Sequence, residues 1–81
     1  MFVMVLRRFP TILEWDAEDR VWVTCVPSLN HLSTYGETEA EALERTREAI
    51  TGYLEAAQKE GLSAPADAPE PRIVELQVAT P

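Results

Sequence analysis

One cysteine, one histidine and three glycines in 81 residues leave little of the equipment from which small active sites are built. Cys25 has no partner for an internal disulfide and lies within an apolar run, which suits a chain kept in a reducing cytoplasm. Together Cys25 and His31 fall short of the three or four ligands that a bound metal takes, and no glycine-rich phosphate loop is present, so neither metal nor cofactor is expected. Cys25 reads as a small buried apolar residue with nothing nearby to activate it, and His31 as a loop histidine in water. Basic residues are scarce as well. Seven Lys and Arg stand against 14 Asp and Glu, and a net charge of −7 disfavours direct contact with nucleic acid or an anionic membrane. Long hydrophobic runs are missing too: residues 1–6 are apolar, but Arg7 and Arg8 follow them instead of preceding them. A signal peptide has the reverse order and a membrane span needs about 20 apolar residues, so both are excluded.

What is present centres on residues 38–61. Thr38 and Glu41 form a capping box, in which the hydroxyl accepts from the Glu41 amide and the carboxylate reaches back to the amide of Thr38. At 100° per residue, Leu43, Thr46, Arg47, Ile50, Leu54 and Ala57 share one stripe, flanked by Ala42, Ala49, Tyr53 and Ala56. That face is expected to be buried. Glu41, Glu44, Arg45, Glu48, Gly52, Glu55 and Lys59 occupy the opposite face, and Gly61 supplies the left-handed residue that ends the helix, with Leu62 folding back on its last turn.

Strands are expected before and after it. Residues 11–15 and Val21–Val26, joined by the charged turn 16–20, read as a hairpin, and a short strand at 32–35 follows the loop 27–31. Pro10 and the two arginines interrupt residues 2–6, which either lengthen the first strand or cover a neighbouring copy. Residues 62–71 carry three prolines and form a linker, after which Val74, Leu76 and Val78 alternate with Ile73, Glu75 and Gln77 in a final strand, 73–79. The expected fold is α+β: a single two-layer β-β-β-α-β domain over residues 1–81, strand order 3-2-1-4, with the helix on one face. Trp15 or Trp22 would then stand on the uncovered face, and exposed apolar surface of that kind predicts a homo-oligomer, a dimer or tetramer.

The run VWVTCVPSLNHLSTYGETEAEALERTREAITGYLEAA resembles the HicB family of antitoxins. Gly36, Thr38, Glu41, Ala42 and Leu43 match its G-x-T-x-x-E-A-L motif; Glu48, Ala49, Tyr53 and Leu54 match the following helix, and Pro27 and Leu29 the preceding loop. Asn30 and His31 stand where family members often have Pro-Gly. The resemblance runs from about Thr11 to Gly61. It implies a partial ribonuclease H-like fold without that enzyme's catalytic carboxylates, and a protein that binds and masks a HicA-type toxin, a small basic ribonuclease. The DNA-binding segment of full antitoxins has no counterpart here, so operator binding is not implied.

Carboxylates on the helix exterior and in turns are solvated and lack the desolvation that acid–base catalysis needs, so no enzyme is expected. Recognition remains. Glu41, Glu44, Glu48 and Glu55, with Trp22, are the candidate partner-binding residues, the glutamates forming a negative stripe suited to a basic protein. The alternative is an oligomeric scaffold or small-ligand-binding module of the same fold with no toxin partner.

Overall fold

The structure is a computed structural model and describes residues 6–61 and 69–81. Strand β1, Ile12–Asp16, turns back into β2, Val21–Val26. Asp16 shapes the turn: its Oδ1 accepts from the amides of Glu18 (2.9 Å) and Asp19 (3.1 Å), and Arg20 closes the loop with a positive φ. After β2 a 3-10 turn, Pro27–Leu29, begins on a proline whose missing amide proton is not needed there and buries Leu29. Asn30 and His31, both at φ 58°, reverse the chain into β3, Leu32–Gly36. Two successive left-handed residues therefore shape this loop.

The three strands form an antiparallel sheet in the order β1-β2-β3. Leu13, Thr24 and Thr34 stand in register across it, as do Trp15, Trp22 and Gly36. Helix α1, Glu39–Lys59, then packs over β3 and the neighbouring part of β2 and leaves β1 largely uncovered.

Thr38 caps the helix as its sequence implies, its Oγ1 accepting from the Glu41 amide at 3.1 Å. The Glu41 carboxylate, however, receives the amide of Glu37 (3.4 Å) and not that of Thr38. It also meets Arg45 at 3.1 Å. Gly61, at φ 73°, ends the helix, and its amide donates to the Gln58 carbonyl. Replacing Thr38 with Ala removes the cap acceptor; a loss of about 1 kcal/mol in urea unfolding is expected.

The buried face of α1 is rotated by roughly 60° from the stripe that periodicity marks out. Ala42 and Thr46 are fully buried, and Ala49, Tyr53 and Ala57 continue their row half-buried. Leu43 is 37% exposed and Arg47 lies in solvent, paired with Glu44 at 3.5 Å. The cause is distance. Ala42 brings the helix backbone so close to Gly36 that a Cβ on that glycine would sit 2.5 Å from the Ala42 amide nitrogen. Small side chains face the sheet, and Leu43, Ile50 and Leu54 turn sideways into a groove shared with Leu6, Phe9 and Thr11.

At the centre of the interface the polar groups close on one another. Thr24, Thr34 and Thr46 bring their hydroxyls within 2.6 to 3.0 Å of each other, and Thr46 donates to the Ala42 carbonyl at 2.7 Å. With that proton committed, the two lone pairs of Thr46 accept from Thr24 and Thr34, while the Thr34 amide donates to the Thr24 oxygen at 3.2 Å. Among the described residues no buried side-chain polar atom lacks a partner. Val26, Leu29 and Ala42 complete a small core.

The expected fourth strand does not form. Among the described residues, 69–81 pair with no strand, so the sheet there has the three strands β1-β2-β3 in place of the order 3-2-1-4, and Ile73, Val74, Leu76 and Val78 are 61 to 84% exposed. Alternation marks a segment able to join a sheet, but it does not provide the edge that receives it. Residues 2–5 and most of the linker, 62–68, lie outside the described residues, and so does the expected contact of Leu62 with the last helical turn.

Candidate functional site

The sheet sets the direction of every surface. Thr24 touches the helix through Thr46, and alternation along each strand therefore places Leu13, Trp15, Trp22, Val26 and Thr34 on the helix side. Trp15 and Trp22 are thus not on the uncovered face, as the sequence suggested. They meet edge to face beside β1, ring centroids 5.4 Å apart at 62°, with Trp15 half in solvent because α1 does not extend over that strand. Ile12, Val21, Val23, Cys25 and Tyr35 form the uncovered face instead.

A shallow depression on that face is bounded by Val21, Val23, Ser33 and Tyr35, with Asp16 and Asp19 at its rim. Arg45 reaches across β3 from the helix, donates to the Tyr35 carbonyl at 3.0 Å and lies 5.8 Å from the Tyr35 ring centre. Cys25 and His31 were separate expectations, and the structure joins them: the thiol sulfur lies 3.6 Å from His31 Nδ1. The register of β2 and the two left-handed residues of the loop bring them together, and nothing in residue spacing reveals it. Among the described residues no carboxylate is bonded to the imidazole.

Glu44, Glu48 and Glu55 line the outer side of α1, opposite the Ala42 and Thr46 row, with Glu41 at the margin of the stripe. Two of the four are engaged locally. Glu41 holds Arg45 and Glu44 holds Arg47, both pairs exposed and each contributing only a few tenths of a kcal/mol. Glu48 and Glu55 make no ion pair among the described residues and give the face its uncompensated charge. Trp22 stands on the sheet beneath and does not join the glutamates. The five candidate residues accordingly separate into an acidic helix exterior and a tryptophan pair near β1.

Among the described residues no three of His, Cys, Asp and Glu converge as metal ligands, and no helix is long and apolar enough to cross a membrane. Compared with protein-family models, with curated proteins and with solved structures, the chain matches none.

Proposed function

We propose that this chain is a HicB-like protein-binding module that masks a small basic ribonuclease of the HicA type in the cytoplasm without catalysis of its own. One observation carries the reading. Glu44, Glu48 and Glu55 project from the side of a rigid helix that faces away from its sheet, so a basic surface can approach them without disturbing the core. Occupying the partner's cationic RNA site is then mainly electrostatic, and the acidic balance of the chain, −7 overall, steers the encounter. The module needs no metal or cofactor for this role, and its negative surface opposes contact with nucleic acid or membrane.

Reversing Glu44 and Glu48 to lysine tests the reading. Calorimetry against a small basic ribonuclease of the HicA type should show affinity reduced roughly tenfold, and more at low salt, with the melting curve unchanged. Equal affinity for parent and variant would remove the helix exterior from the interface. A second reading, an assembly of copies with no toxin partner, is favoured by a different observation: Ile73, Val74, Leu76 and Val78 are exposed in the single chain.

A further inference from the structure

Two features of this chain are complementary and lie apart. The first is a strand without a sheet. In an extended conformation Val74, Leu76 and Val78 would share one apolar side and Ile73, Glu75 and Gln77 the other, and the four aliphatic residues are 61 to 84% exposed. The second is a sheet edge without a strand. Among the described residues β1 pairs only with β2, so its other edge is free, whereas at the opposite edge of the sheet Arg45 holds the Tyr35 carbonyl of β3. Beside β1, on the helix side, Leu13 and the half-exposed Trp15 form an apolar floor, and Leu43, Ile50 and Leu54 turn towards the groove that continues it past Thr11.

We propose that residues 72–79 are a donated strand, which adds to the free edge of β1 in a second copy of the chain while that copy returns its own. The proposal rests on the assembly reading above and specifies how the copies are joined. A second copy is the occupant because donor and acceptor are on the same chain, so a two-fold exchange satisfies both at once and pairs the edge of β1 in each copy.

Geometry and charge agree with this choice. Pro71, Arg72 and Ile73 share a cleft with Pro10, Thr11, Ile12 and Pro27 at one end of the hairpin, so the segment starts beside β1, yet among the described residues it forms no ladder with that strand. Eight extended residues span roughly 26 Å, more than the five-residue β1 requires. Arg72 and Glu75 cancel, so the donated segment carries no net side-chain charge in a chain that otherwise repels its own copies. Strand parity determines the rest: Val74, Leu76 and Val78 face the side of Leu13 and Trp15, and Glu75 and Gln77 the side of Ile12 and Glu14.

Mass in solution, by light scattering on the full chain at about 100 µM, a concentration at which micromolar association is saturated, gives the first readout. A species of twice 9.1 kDa is expected. Leu76→Asp should return it to 9.1 kDa with the far-ultraviolet spectrum of the helix retained, and Glu75→Lys, on the opposite side of the strand, should remain dimeric. Cross-linking supplies a second readout that does not depend on the fate of Leu76→Asp. In a Cys25→Ser background, chains carrying Glu14→Cys are mixed with chains carrying Glu75→Cys or Gln77→Cys, and a disulfide joining the two kinds of chain is expected. A monomer throughout would overturn both the exchange and the assembly reading. A dimer indifferent to Leu76→Asp, or one without the mixed disulfide, would overturn the exchange and leave assembly through another face standing.

Discussion

Gly36→Ala is expected to lower the unfolding free energy by about 3 kcal/mol, a large share of the stability of so small a domain. Gly36 does not have a positive φ, so its role is not to permit an unusual backbone conformation. It is the last residue of β3, and α1 begins directly above it. A Cβ built there lies 2.5 Å from the Ala42 nitrogen, 2.9 Å from the Ala42 Cα and 2.9 Å from the Glu41 carbonyl carbon. All three are backbone atoms, so no side chain can swing aside and the first turn of the helix must lift. Lifting it separates Ala42 from the sheet and stretches the contacts of Thr46, whose network depends on the same spacing. Gly52→Ala is the control: nothing lies within 4 Å of its added Cβ, and in mid-helix alanine should stabilise by up to about 1 kcal/mol. Urea unfolding of both variants should give opposite signs. A Gly36→Ala midpoint equal to the parent's would show that the helix does not rest on β3 as described.

Thr46→Val is expected to destabilise by about 1 to 3 kcal/mol although it preserves shape and adds apolar surface. Valine removes the acceptor for the hydroxyls of Thr24 and Thr34 and frees the Ala42 carbonyl, leaving buried polar groups to share what remains. Thr24 is fully buried, so water cannot substitute. Thr46→Ser should retain more stability than valine, because the lost methyl matters less here than the hydroxyl. The double variant Thr24→Val, Thr46→Val should cost less than the sum of the single changes, since each removes a partner that the other had orphaned. Strict additivity in equilibrium unfolding would mean that the three hydroxyls act independently.

The comparison of Leu43 with Ala42 shows how far periodicity reaches. Hydropathy ranks leucine as the more buried of the two, and the stripe through Leu43, Ile50 and Leu54 follows from that ranking. The fold favours alanine because a helix lying directly on strand backbone needs small residues at the contact, and the larger ones then fill the space at its side. The rotation carries Arg47 into solvent and moves the partners of the glutamate stripe, but it leaves Glu44, Glu48 and Glu55 outward. Strand parity worked in the same way. Alternation in VWVTCV separates Trp22 from Val23, but only the Thr24–Thr46 contact decides which of the two sets meets the helix.

From its sequence alone this chain determines the hairpin, the short third strand and the capped helix ending at Gly61, because each depends on interactions within a few residues: Asp16 in its turn, Thr38 at its amides, a glycine at positive φ. Tertiary structure decided which helix face meets the sheet, which sheet face stays open, that Cys25 and His31 touch, and that the segment after Pro71 pairs with no strand among the described residues. Those outcomes depend on close approach between elements distant in sequence, where van der Waals distance and the pairing of buried hydroxyls outweigh the hydropathy of any single residue.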